Sequence, residues 1–480
     1  MLSEKPLRIR QSISFIVVLL AGACLFFLNR KSTIDWSEDN AAFILQAKAT
    51  ASGHLQSEYK FVYDDNCIET GPAIYPWGFP LVLSAVYPFA GKDIYSYIIL
   101  MHVILVLVLL LLCFYMRKFF APAVAALLVL VFAFNPETVI EKNDIMSDLF
   151  CLFLILIFLY MYENIHSRKI TLWLSAFLLM LIVNTRVLGF CLVPAIFLYE
   201  MFADSANRRQ RLLRSTLLVF LAMIFSIGFS FFISGSSVYR YVGYFIQYIK
   251  FEWSMLDVIS NGVGYLVYAL DYFIPKHETW QWAIIPIRIF TLLSVLTGVW
   301  QHITLRKYNV YSFFIPVYLI VIIIFPFHYI VERYFFPVAP FMLLMMLTGW
   351  EYVLQKLRLN KNICIAFLCV ALAGYYPNLK YLAYHKAEPD GPQTIEATEA
   401  WHAVNQFTNE TDTVCTHYPR ALIFFTNRFG RTLCNNEAFT PTYILNDNSN
   451  RKVYDQMETT RYSLLWKNER FELYKLMMRN

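Results

Sequence analysis

The sequence predicts a mostly α-helical, polytopic membrane protein with a small α/β domain at its C-terminal end. Three observations carry this. The 480 residues are 58% hydrophobic and only 15% charged, against roughly 25% charged in soluble chains. The apolar residues gather into long runs. Basic residues fall in every second connection between those runs.

Eleven runs are of spanning length, since roughly 20 helical residues cross the hydrocarbon. They lie near 11–28, 95–116, 119–134, 145–163, 170–185, 187–202, 212–233, 281–304, 310–327, 334–354 and 362–377. The first reads as an uncleaved span and not a signal, because many more follow. Alternate connections carry Lys5/Arg8/Arg10, Arg117/Lys118, Arg168/Lys169, Arg208/Arg209/Arg211/Arg214, Arg306/Lys307 and Lys356/Arg358/Lys361. By the positive-inside rule the N-terminus is cytoplasmic, and an odd number of spans puts the C-terminus outside. Met255–Pro275 is long enough to cross, but a crossing there would place Arg306/Lys307 outside. It reads as an interfacial or re-entrant piece on the outer side.

The net charge of +6 comes from these short loops and does not suggest nucleic acid. Aromatics at 18% suit repeated interface crossings. Cys24, Cys113, Cys151, Cys191, Cys364 and Cys369 lie in apolar runs and read as buried small hydrophobes. Cys67, Cys415 and Cys434 lie in polar stretches. A Cys415–Cys434 disulfide and unpaired thiols both fit an outer location.

The chain therefore divides into a transmembrane domain, 1–377, with a first outer loop at 29–94, and an outer α/β domain, 378–480. In the latter, "IEATEAWHAVNQFT" has helical apolar spacing at Ile395, Trp401, Val404 and Phe407. "TVCTH" and "RTLC" are strand-like, and "YSLLWKNERFELYKL" reads as two strands around Asn468–Glu469.

Five outer elements carry polar groups that are costly near a bilayer. In "SEDNAAFILQAKATASGH", Ser37 can cap a helix with apolar positions Ala42, Phe43, Gln46/Ala47 and Ala51, placing Glu38 and Asp39 in its first turn. A carboxylate held there can serve as a base towards a hydroxyl; the plainer reading is ordinary first-turn acidity. "IYPWGFPLVLSAVYPFAG", with Tyr75, is broken by prolines and suits a re-entrant helix start. "NPETVIEKNDIMSDLF" packs Glu137, Glu141, Asp144 and Asp148 at the start of a span. Asp148 and Asp144 could hold a divalent cation or act by charge and hydrogen bonding, and both readings stand. Arg186, in "LIVNTRVLGFCLVPA", must sit at the outer boundary or be paired; its planar fork suits a phosphate. "FPFHYIVERYFFPVAPF" brings His328, Glu332 and Arg333 to another outer boundary, as a site or as a structural ion-pair cluster.

Taken in order, these segments resemble the GT-C glycosyltransferases of the PMT/ArnT-like class, which includes the RgtA/B/C/D-like bacterial enzymes. "EDNAAFILQAKATASGH" resembles their first outer loop, and "YPWGFPLVLSAVY" their "YPPGYPLLLAL" segment. "IMSDLF", "NTRVLGFCLVPA" and "ERYFFPVAPFMLLM" match later landmarks. "DTVCTHYPRALIFFTNR" is similar to the start of the outer domain in many relatives. The resemblance covers nearly the whole chain in short, degenerate motifs. It implies inverting transfer of a sugar from a polyprenyl-phosphate donor to a lipid, glycan or protein acceptor outside the membrane. Asp39 would take the place of the catalytic base, Arg186 and Arg333 would hold the donor phosphate, and Asp148 matches the second acidic position. The resemblance implies no certain cofactor, and a divalent cation stays one of the two readings of Asp144 and Asp148. Ala42 stands where ArnT-like enzymes have arginine, and Tyr75–Pro76–Trp77 where they have Lys-Pro-Pro, so an aminoarabinose substrate is not implied.

Two other readings stand beside this one. A transporter or flippase of lipid-linked glycans would show internal repeats or paired broken helices near the midplane, and neither is seen. A glycan polymerase or ligase of another membrane fold would lack the early acidic loop.

Overall fold

A computed structural model describes residues 4–31, 33–34, 36, 38–63, 72–163, 169–202, 207–234, 262, 264, 270, 272–273, 281–305, 309–324, 332–360, 362–384, 390–432, 441–449 and 461–477. Ser37, Cys67, His328, Cys434 and most of Met255–Pro275 lie outside them. The chain forms two compact units.

The first unit comprises 1–30, 99–226 and 249–386 and is helical. Each apolar run of the sequence carries a helix: Glu4–Phe27, Ile94–Met116, Pro122–Ala133, Ser147–Tyr162, Lys169–Thr185, Leu192–Phe202, Arg208–Phe229, Gln281–Thr304, Val310–Ile324, Ala339–Lys356 and Asn362–Tyr384. Among the described residues, Ile94–Met116, Arg208–Ser234 and Asn362–Tyr384 are long and apolar enough to cross a membrane by length and composition. Leu213 and Phe220 on the 208–229 helix are 61% and 59% exposed, an arrangement that water would penalise and lipid would not.

Helices in an apolar solvent gain little from burying leucine, so they associate through close backbone approach and a few polar bonds. The 281–304 and 339–356 helices do this. A Cβ on Gly298 would lie 2.0 Å from the Met345 carbonyl oxygen, and one on Gly349 would lie 2.1 Å from that of Ser294. At the same crossing Trp350 Nε1 donates to Ser294 Oγ at 2.7 Å. Between the spans, the short Pro136–Glu141 helix starts on Asn135, whose side chain accepts from Glu137 N, with proline at a position that needs no donor.

The second unit comprises 31–98, 227–248 and 387–480. Its sheet has the order β1-β3-β2-β4-β6-β5, with β1 Phe61–Val62, β2 Thr413–Thr416, β3 Phe429–Thr432, β4 Tyr443–Asp447, β5 Tyr462–Lys467 and β6 Phe471–Leu476. The first four are parallel, and β6 and β5 close the far edge antiparallel. The predicted hairpin around Asn468–Glu469 is the β5–β6 pair. The edge strand β1 comes from the 29–94 segment, so the sheet draws on stretches far apart in the chain.

The Ile395–Phe407 helix is capped by Thr394, whose side chain accepts from Ala397 N. Its buried stripe is Ala397, Ala400, Trp401, Ala403 and Val404, packed with Val414, Leu422, Leu445 and Phe471. Ile395, expected on that stripe, is 76% exposed: it starts the helix, while the small alanines let the later turns approach the sheet. The Glu38–Ala51 helix is buried from Asn40 through Ala47 and at Ala49, not on one side only. It packs on the Gly78–Ala90 and Pro419–Thr426 helices, and Ala51, expected inside, is exposed.

Candidate active site

Glu38 and Asp39 open the 38–51 helix, where the exposed N–H groups of a first turn favour negative charge. Their surroundings differ. Glu38 Oε1 accepts from the backbone N–H of Arg420 at 2.9 Å and of Ala421 at 3.2 Å, so it closes the start of the 419–426 helix. Burial pushes its carboxyl up to about 7, against the opposing pull of Arg420. The Asp39 side chain stays 22% exposed and accepts a hydrogen bond from the Tyr75 hydroxyl. Arg420 Nη1 lies 4.0 Å from the same Asp39 oxygen and donates to the Tyr75 oxygen at 3.2 Å. Tyr75 is fixed in turn by Gln46: its N–H donates to Gln46 Oε1 and its carbonyl accepts from Gln46 Nε2, each at 3.1 Å. A partly open carboxylate, aimed by a hydroxyl and flanked by a cation, can take a proton from an incoming hydroxyl.

A second polar cluster belongs to the helical unit. The 169–185 helix ends at Arg186, whose backbone is extended before a 3₁₀ turn, Val187–Cys191. This break turns the arginine out of the helix. It depends on Gly189, where a Cβ would lie 2.6 Å from Ile182 Cγ2. Arg186 Nη1 pairs with Asp148 Oδ2 at 2.6 Å, and Asp148 is fully buried. The Arg186 guanidinium lies over the Tyr334 ring at 4.9 Å, and that of Arg333 lies over the same ring at 5.6 Å. The Tyr334 carbonyl accepts from Tyr318 OH at 2.6 Å. Arg333 also reaches Met146 Sδ at 3.7 Å. Glu141, which ends its short helix, is 6% exposed. Burial, Asp148 and Asp144 push its carboxyl well above the usual range, while Arg333 and Arg186 oppose them. Two guanidiniums thus share one ring, and Arg186 is paired with a buried carboxylate that offsets its charge.

No protein-family model and no curated protein matches the chain. Solved structures do. The Archaeoglobus fulgidus oligosaccharyltransferase, in complex with Zn and sulfate, aligns with a TM-score of 0.58 at 12% identity, over 96% of this chain and 73% of its own. ArnT from Cupriavidus metallidurans, bound to undecaprenyl phosphate, aligns with a TM-score of 0.57 at 11% identity, over 98% of both chains. AglB from A. fulgidus, in complex with an inhibitory peptide and a dolichol-phosphate, aligns at 0.56 and 12% identity, over 91% and 69%. The chain has the GT-C fold.

The anticipated residues fall into two groups. Glu38, Asp39 and Tyr75 meet in one unit, and Asp148, Arg186, Arg333, Glu141 and the half-buried Asp144 lie in the other. Glu332 opens the Glu332–Phe335 3₁₀ turn; its side chain, like His328, lies outside the described residues. Cys415 is buried on β2, and its suggested partner Cys434 is outside them too. Arg420 was not anticipated. Its only sequence signal is its place right after Tyr418–Pro419, at the start of a helix. Among the described residues no three His, Cys, Asp or Glu side chains group to hold a metal ion, and Asp148 already faces a cation in Arg186.

Proposed function

We propose that this GT-C protein is an inverting glycosyltransferase of the cell (inner) membrane. It takes a sugar from a polyprenyl-phosphate donor and gives it to a hydroxyl of a lipid, glycan or protein on the extracytoplasmic face. The observation that carries the reading is Asp39, a half-open carboxylate aimed by Tyr75 in the first outer loop. Its support is the fold shared with an ArnT bound to undecaprenyl phosphate and an AglB bound to a dolichol-phosphate.

In this reading Asp39 accepts the proton of the acceptor hydroxyl as that oxygen attacks the anomeric carbon. The bond from the anomeric carbon to the phosphate oxygen breaks, and the lipid phosphate leaves with the electron pair. The configuration inverts because attack and departure lie on opposite faces of the sugar. The charge that grows on the leaving phosphate needs fixed cations; Arg186 and Arg333 of the helical unit are the candidates that the sequence resemblance names. The Asp148 carboxylate holds Arg186 in place.

The test compares wild type with Asp39→Asn in membranes supplied with labelled polyprenyl-phosphate sugar. Losing a general base costs on the order of 10²–10⁴ in rate, and a loss of that size is expected. Transfer by the variant at the wild-type rate would remove Asp39 from the role of base.

A further inference from the structure

The first turn of the 419–426 helix contacts two neighbouring carboxylates in two different ways. Its backbone N–H groups at Arg420 and Ala421 bind Glu38. The Arg420 side chain turns back toward Asp39. One helix start thus meets both acids of the 38–51 helix, and it comes from the opposite end of the chain.

Arg420 is 1% exposed. A cation so buried is costly unless its surroundings return the lost hydration. Here the rings of Phe61 and Tyr75 sandwich it at 5.0 and 5.2 Å, and Nη2 donates to the Pro72 carbonyl at 2.7 Å. Those contacts alone would join loop to domain. The Nη1 contacts do something else: they reach the Tyr75 oxygen and approach Asp39. Tyr75 passes its own proton toward Asp39. A hydroxyl that accepts from a cation is a stronger donor, so the chain runs in one direction, from Arg420 through Tyr75 to Asp39.

We propose that Arg420, acting through Tyr75, is a positioning residue for Asp39: together they fix the orientation of the carboxylate and complement its negative charge before substrate arrives. This rests on Asp39 being the base. It makes the outer domain a participant in the chemistry, because the group that sets the base is built on that domain's helix.

The experiment measures transfer from labelled polyprenyl-phosphate sugar by the full-length protein carrying Tyr75→Phe, Arg420→Met, Arg420→Lys or Asp39→Asn, across pH. Tyr75→Phe and Arg420→Met should each lower kcat by roughly 10–100-fold while leaving the donor KM within about threefold. The acidic limb of kcat/KM should move to higher pH by about one unit, as expected when a charge partner of a carboxylate is removed. Arg420→Lys should recover part of both effects. A Tyr75→Phe/Arg420→Met double variant, measured alongside, should fall no further than the worse single one, because the two residues act on one path. A joint with no role in positioning would leave the pH limb in place and give lysine no advantage beyond stability. If Arg420→Met does not fold, Tyr75→Phe decides alone, since it keeps the ring and removes only the hydroxyl. Wild-type kcat and pH limb in Tyr75→Phe, with Asp39→Asn inactive, would overturn this proposal and leave the proposed function standing. An active Asp39→Asn would overturn both.

Discussion

Glu38 and Asp39 are adjacent acids in different surroundings. Glu38 is bound by two backbone N–H groups of the 419–426 helix, and burial raises its carboxyl from 4.5 to about 7. A raised carboxyl means that the folded state holds the proton more tightly than the unfolded chain does. Its contribution to stability is therefore complete below about pH 4.5 and is lost as pH rises to about 7. Glu38→Gln keeps an oxygen for the two N–H groups and never ionises. Thermal unfolding in detergent should show Glu38→Gln gaining on wild type between pH 5 and pH 8. One unit corresponds to about 1.4 kcal/mol; with Glu38 half-buried the gain should be on the order of 1–2 kcal/mol. A difference that does not change with pH would contradict this assignment. The place of Asp39 in a first turn was legible from Ser37–Glu38–Asp39 ahead of an apolar run; the role given to it came from the resemblance and not from its position. Arg420 was not legible. An arginine at the start of a short apolar helix looks like any first-turn residue until the fold brings the first outer loop against it.

At the scale of elements, hydrophobic runs located each long helix of the helical unit among the described residues, but not how those helices meet. The crossing of the 281–304 and 339–356 helices depends on Gly298 and Gly349, and each looks like an ordinary small residue in its run. Gly349→Leu must push the Ser294 backbone away, since even a Cβ would stand 2.1 Å from its carbonyl oxygen. Overpacking of this kind costs about 1–3 kcal/mol or more. Unfolding midpoints in mixed detergent should fall accordingly for Gly349→Leu and less for Gly349→Ala, and equal midpoints would show that the helices can separate freely. Strand β4 was also missed. "YILND" does not alternate, and all five residues are buried, as expected of an inner strand covered on both faces. The β5–β6 hairpin was found because its turn and its two apolar stretches are local.

At the scale of the molecule, the charge pattern of the loops makes a claim about sidedness that can be checked directly. The reading places Arg209 in the cytoplasm and His402 outside, and both side chains are exposed. In intact cells, a membrane-impermeant maleimide should label His402→Cys and not Arg209→Cys, with the order reversed in inverted vesicles. Labelling of both from one side would undo the topology and the extracytoplasmic chemistry with it.

The sequence by itself determined the class of solvent, the helical runs, their predicted sidedness and the acidic start of the 38–51 helix. Each of these is a property of neighbours along the chain: hydropathy over a span, charge in a loop, a carboxylate in a first turn. Only the tertiary structure decided that β1 joins the C-terminal sheet, that Arg186 pairs with Asp148, and that Arg420 stands behind Tyr75 and Asp39. Those depend on which distant segments share a buried contact. A charge is held in such a place only when a partner from elsewhere in the chain offsets its desolvation, and local pattern cannot name that partner.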